Sequence, residues 1–327
     1  MDQILVVGAD VGGTNVKFVV LDASGRRLRQ DDIRTDPRDP EGTIRRLAQA
    51  VQALEPTAKG TQVAVGLACA GIVSPVTGCL DRSPNLPGWE GCDLRGCLRT
   101  AFGTNLCTVA NDVNAALYGE YRHGAGRGGE HLVMIALGTG VGGGVLVNGQ
   151  LHSGHADGAG EIGHMTLQLD GAPCTCGNAG CLEAYCGSVG LVRRARELID
   201  DPASSSEWRT MVTDRGASLT TRDCSLLAEG GDATALAFFA AAGRRLGQAV
   251  ASLVNALAPD RVIIGGGVAQ AGDLFLAPCR EMVAVHVMSR AGRETPVVAA
   301  ELGPFAAAMG AAALAAESLA EAGEDSP

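Results

Sequence analysis

Apolar and polar positions alternate in blocks along the 327-residue chain and predict an α/β protein. Short apolar runs bounded by glycine, proline or aspartate are typical of buried strands, and apolar residues three or four positions apart are typical of helices. The predicted strands are ILVVGAD, VKFVVLD, QVAVGLACAG, LCTVAND, HLVMIALG, GGVLVNG and RVIIGGG. The predicted helices cover residues 40–54, 113–121, 189–199, 232–257 and 305–322. The polar segment 201–231 is expected to be an irregular connecting insertion.

A strand pair with a glycine-rich turn occurs twice in the sequence. ILVVGADVGGTNVKFVVLDASG and LVMIALGTGVGGGVLVNG each contain an apolar strand, a glycine-rich turn, a second apolar strand and a polar turn. Such a repeat indicates a duplicated domain with a cleft between two lobes. We expect an N-terminal lobe at 1–112 with the helix at 305–322 packed back on it, a larger C-terminal lobe at 113–304, and a disordered tail at 323–327.

Composition narrows the classes of function. Hydrophobic residues make up 46% of the chain, enough for a large buried core, and the formal net charge is −10. The arginines are scattered rather than clustered, which argues against nucleic acid as a partner. We expect neither a signal peptide nor a membrane span, because no basic segment precedes the first apolar run and glycines break the uncharged stretch at 131–156.

Eleven cysteines are present, and most stand alone in apolar segments, where a reduced thiol behaves as a small hydrophobe. This usage predicts a reducing cytoplasm. The exception is CTCGNAGC, which carries Cys174, Cys176 and Cys181. Their spacing and a reducing compartment disfavour disulfides, whereas three thiolates and one imidazole would complete a closed, structural zinc site. The alternative is a glycine-rich loop of inert thiols. The histidines near the cluster are His152, His155 and His164.

Glycine-rich turns follow three of the predicted strands. They contain Gly12, Gly13 and Thr14; Gly138, Thr139 and Gly140; and Gly265 and Gly266. Glycine allows several backbone N–H groups to point together at an anion, and the threonine hydroxyls add donors. A tight β-hairpin is the alternative for the first turn taken alone. Three such turns in a duplicated scaffold favour a bound nucleotide.

Two common nucleotide-binding motifs are excluded. The second turn matches a dinucleotide fingerprint at Gly138, Gly140 and Gly143, but a strand follows it where that fingerprint requires a helix. The chain has only two lysines, Lys17 and Lys59, and neither follows a glycine as the phosphate loop of Walker-type NTPases requires.

Asp112 lies between the strand LCTVAN and a predicted helix. A carboxylate at that position can cap the helix. It can also lie at a strand end and act as a general base. The sequence leaves both readings open.

Five motifs, in order along nearly the whole chain, resemble the ROK family of sugar kinases and related repressors. They are DVGGTNVKFVVLD, NDVNAA, LGTGVGGG, EIGH and CTCGNAGCLE. The resemblance implies the actin-like ATPase fold, a duplicated two-lobed α/β architecture with a nucleotide and sugar cleft between the lobes. The succession of EIGH and CxCGxxGCxE at this spacing is highly specific, and the match is weakest in 201–231.

The resemblance also implies roles for individual residues. His164 would be the fourth zinc ligand, and its other ring nitrogen would carry a proton toward a sugar hydroxyl. Asp112 would be the catalytic base, Asp10 would help to hold Mg²⁺, and Lys17 would join the three glycine-rich turns in binding ATP. The residues expected at the sugar are Asn85, Asn111, Asp112, Glu161, His164 and Glu183.

The expected activity is ATP-dependent phosphorylation of a hexose at the C6 hydroxyl, with glucose as the substrate. An N-acyl hexosamine kinase or a fructokinase is the alternative within the same class. A sugar-sensing repressor is the alternative from another class, but such relatives carry a DNA-binding domain ahead of the first strand, which begins here at about Ile4. The resemblance further implies a homodimer.

Overall fold

The computed structural model describes residues 4–55 and 61–324. Its strands are β1 (Ile4–Val11), β2 (Asn15–Asp22), β3 (Arg27–Arg34), β4 (Gln62–Cys69), β5 (Ile72–Val73), β6 (Leu80–Arg82), β7 (Cys107–Asn111), β8 (Leu132–Leu137), β9 (Val141–Val147), β10 (Gln150–Leu151), β11 (Arg261–Gly265) and β12 (Val297–Ala299). Its helices are α1 (Pro40–Leu54), α2 (Leu94–Phe102), α3 (Asp112–His123), α4 (Glu183–Cys186), α5 (Ser188–Glu197), α6 (Ser206–Arg215), α7 (Thr221–Glu229), α8 (Ala233–Leu257), α9 (Asp273–His286), α10 (Arg290–Arg293) and α11 (Ala306–Glu324).

Two five-stranded sheets share one strand order. The first runs β3-β2-β1-β4-β7 and the second β10-β9-β8-β11-β12. In the first sheet β1 pairs antiparallel with β2 and parallel with β4, and β4 pairs parallel with β7. In the second sheet β11 likewise pairs parallel with β8 and with β12. The common order confirms the duplication that the repeated strand–turn–strand pattern predicts.

The chain divides into two compact units. The first comprises Met1–Gly128, Val145–Ala159 and Glu301–Pro327, and the second comprises Gly129–Gly144 and Gly160–Ala300. The sequence placed a boundary at residue 112, whereas the structure keeps α3 in the first unit, where it packs against α11. Helix α11 continues to Glu324, and residues 325–327 of the expected tail lie outside the described residues.

Close packing of α11 against the first sheet explains its small residues. A Cβ at Gly66 on β4 would collide with the carbonyl oxygen of Ala311, and a Cβ at Gly310 would collide with that of Ala115 on α3. Only glycine permits backbones to approach so closely.

Gly303–Ala320 is the one helical stretch, within the described ranges, that is long and apolar enough to cross a membrane, and 50% of it is buried. A core helix meets the same criterion.

Two predictions about local structure were incomplete or wrong. β3 was not predicted, because its sequence RLRQDDIR is almost entirely polar, and it is the exposed edge strand beside β2. Residues 201–231 are not an irregular insertion, since they form α6 and α7. Trp208 on α6 is fully buried against the ring of Phe238, and Thr220 begins α7 with a capping box. These local anchors order a segment that lacks a regular apolar period.

Candidate active site

The first glycine turn joins β1 to β2 in the first unit. The N–H of Gly12 donates to the carbonyl of Asn15 over 3.0 Å, so the turn is a tight hairpin, and Gly13 and Thr14 at its tip are exposed. A Cβ on Gly13 would lie 3.2 Å from the carbonyl oxygen of Asn85. The turn and the loop that carries Asn85 are therefore in contact.

Asp10 and Asp112 form an acidic pair in the same unit. Asp10 is on β1, directly opposite Lys17 on β2. Burial, and after it the charge of Asp112, raises the pKa of Asp10 from 3.8 to about 7, although the charge of Lys17 opposes the shift. A bound divalent cation would offset the repulsion between two neighbouring carboxylates, and carboxylate oxygens are ligands that Mg²⁺ prefers. The donor set therefore fits Mg²⁺.

Asn111, not Asp112, caps α3. The Oδ1 atom of Asn111 accepts hydrogen bonds from the N–H groups of Val113 and Asn114 over 2.9 and 3.0 Å. Its Nδ2 donates to the carbonyl of Gly71 and to Oδ1 of Asp112, both over 3.0 Å. Asp112 is thus the first residue of the helix, and the reading in which Asp112 is the cap is wrong. The amide of Asn111 uses all four of its hydrogen-bonding positions within the protein.

The second and third glycine turns are adjacent in the second unit. The N–H of Ser188, at the start of α5, donates to the carbonyl of Gly138 over 2.9 Å and holds the second turn. Gly266 has a φ of 90° and lies against the carbonyl oxygen of Leu137, so a side chain there would collide with the end of β8. Gly265 pairs in register with Ala136. The turns therefore lie together at the carboxyl ends of two parallel strands, where α/β proteins bind ligands.

Three cysteines and one histidine of the second unit form a compact group. The ligand atoms of His164, Cys174, Cys176 and Cys181 all lie within 4.8 Å of one another. Sγ of Cys176 is 3.8 Å from Sγ of Cys181, and Sγ of Cys174 is 3.8 Å from Nδ1 of His164. Tetrahedral zinc with bonds of about 2.3 Å to sulfur places two sulfurs about 3.8 Å apart. The geometry therefore fits zinc and not a disulfide.

Of the three histidines near the cysteines in sequence, His164 is the one that joins this group. His152 and His155 do not belong to it. With Nδ1 of His164 toward the thiols, Nε2 lies 3.9 Å from Oε2 of Glu161, whose side chain is 62% exposed. The histidine can therefore bind a metal through one nitrogen and orient a proton through the other.

Glu183 connects the cysteine cluster to the second glycine turn. Its Oε1 accepts from the hydroxyl of Thr175 over 2.5 Å, and its Oε2 accepts from the N–H of Val141, the first residue of β9, over 3.0 Å. A side chain on Gly140 would collide with this carboxylate. The carboxylate predicted to bind sugar therefore also joins two parts of the second unit.

The predicted site residues fall into two groups. The first unit holds Asp10, Gly12, Gly13, Thr14, Lys17, Asn85, Asn111 and Asp112. The second unit holds Gly138, Thr139, Gly140, Glu161, His164, Cys174, Cys176, Cys181, Glu183, Gly265 and Gly266. Sequence reasoning missed Thr175 and Thr35, whose side chains contact these groups. Thr175 lay inside a recognised motif, but Thr35 follows the strand that was not predicted and gave no signal.

Two sheets of one order, with glycine turns at their strand ends, define a protein of the actin-like ATPase fold. The chain belongs to the ROK family, whose model matches residues 6–318. A glucokinase from Halalkalibacterium halodurans is 34% identical over 312 residues, which cover 93% of this chain and 92% of that one. A kanosamine kinase from Amycolatopsis mediterranei is 31% identical, covering 94% and 95%.

A solved structure extends the likeness to three dimensions. It is the crystal structure of a ROK family glucokinase from Streptomyces griseus in complex with glucose and AMPPNP. Sequence identity is 33% and the TM-score is 0.79, with 96% of this chain and 99% of that chain covered. The similarity therefore includes both units of the chain.

Proposed function

We propose that this protein is an ATP-dependent hexose kinase that transfers the γ-phosphoryl group of ATP to the C6 hydroxyl of glucose. The observation that carries the proposal is the likeness, over nearly the full length of both chains, to the Streptomyces griseus glucokinase solved with glucose and AMPPNP. The acidic pair and the three glycine turns supply the groups that this chemistry needs.

Asp112 is proposed as the general base. It accepts the proton of the C6 hydroxyl as the oxygen attacks the γ-phosphorus and ADP departs. Asn111 keeps the carboxylate of Asp112 in place through its Nδ2 donor. A contact between Asn111 and the sugar would require one of its four present hydrogen bonds to be exchanged. Orientation of Asp112 is therefore the role that the geometry of Asn111 supports best.

Phosphate binding is assigned to the glycine turns. The exposed tip at Gly13 and Thr14 presents backbone N–H groups and a hydroxyl, and Lys17 adds a positive charge beside Asp10. The turns at 138–140 and 265–266 supply further backbone donors in the second unit. Mg²⁺, held by Asp10 with Asp112 nearby, would neutralise charge on the phosphates when bound.

Sugar recognition is assigned to Asn85 in the first unit and to Glu161, His164 and Glu183 in the second. The exposed carboxylate of Glu161 and Nε2 of His164 form a polar pair that can accept from and donate to neighbouring hydroxyls. With zinc bound at Nδ1, the ring of His164 would be held in one orientation with its proton on Nε2. We propose that the zinc is structural, because its four ligands close the tetrahedron.

A panel of sugars assayed for ADP release with Mg-ATP tests the proposal. Glucose is expected to give the highest kcat/KM. The panel includes kanosamine, N-acetylmannosamine, N-acetylglucosamine and fructose. If one of these clearly exceeds glucose, the kinase assignment stands and the glucose assignment is overturned. No ADP release with any sugar would remove the kinase assignment itself.

The cellular compartment and the oligomeric state of the protein are part of the same proposal. None of the eleven cysteines forms a disulfide, which supports a reducing cytoplasm. A homodimer is proposed from the family resemblance, and light scattering coupled to size-exclusion chromatography measures it directly.

A further inference from the structure

Thr35 makes two hydrogen bonds to the first glycine turn. It follows β3, and its hydroxyl donates to the carbonyl of Gly12 over 2.8 Å. Its backbone N–H donates to the carbonyl of Thr14 over 2.9 Å. Thr35 is only 9% exposed, so water competes little for these bonds. One residue thus holds the turn on both sides of Gly13.

The next two residues contact the loop that carries Asn85. The indole Nε1 of Trp89, which is fully buried, donates to the carbonyl of Asp36 over 2.9 Å. A Cβ on Gly88 would lie 2.5 Å from the carbonyl oxygen of Pro37. The N–H of Asp36 donates to the hydroxyl of Thr43 on α1 over 3.0 Å, which anchors the segment to the first unit.

We infer that residues 35–37, here named the strap, position two parts of the kinase site: Thr35 positions the phosphate-binding turn, and Asp36, through Trp89, positions the loop of Asn85. The inference rests on the proposed function, because that function gives the turn its phosphate and Asn85 its sugar. Both are positioning roles, since neither the Thr35 hydroxyl nor the Trp89 indole is assigned a contact with a substrate.

The two contacts have separable consequences. When the Thr35 hydroxyl is lost, the Gly12 carbonyl loses its partner and the turn moves away from the phosphate-binding geometry. A single neutral hydrogen bond corresponds to about a fivefold change in an equilibrium or rate constant. Loss of the Thr35 hydroxyl should therefore weaken ATP binding and lower kcat. Loss of the Trp89 indole N–H should weaken glucose binding.

Thr35→Val tests the first contact, because valine keeps the shape of threonine and removes the hydroxyl. We expect the KM for ATP, and the Kd for Mg-ATP measured by titration calorimetry, to rise about fivefold while the KM for glucose is unchanged. Thr35→Ser, which restores the hydroxyl, should recover most of the loss. Thr100→Val is the matched control, since Thr100 also donates to a backbone carbonyl, that of Gly96 over 3.0 Å in α2.

Trp89→Phe tests the second contact by removing the indole N–H. The KM for glucose should rise about fivefold with the Kd for Mg-ATP unchanged. The chain has two tryptophans, and Trp208→Phe is the matched control, because the buried Nε1 of Trp208 donates to the carbonyl of Ala195 over 3.2 Å. It should cost stability without altering either constant.

The possible results distinguish failure of the inference about the strap from failure of the kinase proposal. An unchanged Kd for Mg-ATP in Thr35→Val contradicts the inference about the strap. An equal rise of the Kd for Mg-ATP and the KM for glucose in both Thr35→Val and Trp89→Phe also contradicts it. If Thr35→Val does not fold, Thr35→Ala is judged by the same constants. If the wild type binds Mg-ATP but phosphorylates no sugar, the kinase proposal fails and the Thr35 titration still decides the first contact. A wild type that does not bind Mg-ATP overturns both.

Discussion

Asn111 caps α3 with its amide oxygen and, from the same side chain, donates to Oδ1 of Asp112 over 3.0 Å. The cap and the proposed base are therefore neighbouring residues with separate roles. Asp112→Asn should leave the helix and the Tm nearly unchanged, because the cap remains. Since a general base contributes about 10² or more, kcat should fall by at least that factor. Steady-state kinetics and thermal unfolding measure the two effects.

Asn111→Ala is the complementary variant. It removes the cap and should lower the free energy of unfolding by about 1 kcal/mol. It also frees the carboxylate of Asp112 to rotate, so kcat should fall as well. Near-wild-type turnover in Asp112→Asn would show that another group accepts the proton.

The sequence predicted best those features whose residues are close together in the chain. The proposed zinc ligands Cys174, Cys176 and Cys181 lie within eight positions, and the motif alone indicated that these thiols form one group. β1 and β8 are buried and therefore almost wholly apolar. In such cases a local pattern carries the information.

Features that depend on distant pairing could not be predicted in the same way. β3 is polar because it is an edge strand, so only its pairing with β2 identifies it. Thr35 depends on that strand, since its partner Gly12 is 23 positions earlier. The sequence analysis considered only Asp112 as the cap of α3, because finding Asn111 in that position requires the actual end of β7, and boundaries of elements are not fixed by apolar pattern.

The raised pKa of Asp10 predicts a pH-dependent stability. Burial, the largest cause, and the charge of Asp112 raise this pKa from 3.8 to about 7. Between pH 4 and 7 the folded protein therefore keeps a proton that the unfolded chain has released, so the free energy of unfolding should fall as the pH rises through that window. Urea denaturation of the wild type and of Asp10→Asn, without Mg²⁺, measures the slope.

Asp10→Asn should remove that part of the slope, because asparagine does not titrate. Mg²⁺ binds the ionised carboxylate, so it should stabilise the wild type more at pH 8 than at pH 5. Identical slopes for the two proteins would assign the pH dependence to other groups.

The cysteine group predicts one structural zinc ion per chain. Cys176→Ser should lower the zinc content measured by elemental analysis, and it should weaken sugar binding because His164 is oriented by the same site. Cys79→Ser is the control, since Cys79 is a free thiol outside the group. Freshly isolated, active protein without zinc would contradict this prediction.

Glu161 provides the sharpest test of substrate recognition. Its exposed carboxylate lies 3.9 Å from Nε2 of His164, and we assign this pair to the hydroxyls at C1 and C2 of glucose. Loss of a hydrogen bond to a charged group costs about 1.5–3 kcal/mol, so 2-deoxyglucose should have a kcat/KM at least tenfold below that of glucose. Glu161→Ala should lower glucose turnover more than turnover of the deoxy sugar and so narrow the gap. Glu281→Ala, an exposed glutamate on α9, should leave both unchanged. If Glu161→Ala lowers both sugars by the same factor, the carboxylate does not contact the C2 hydroxyl.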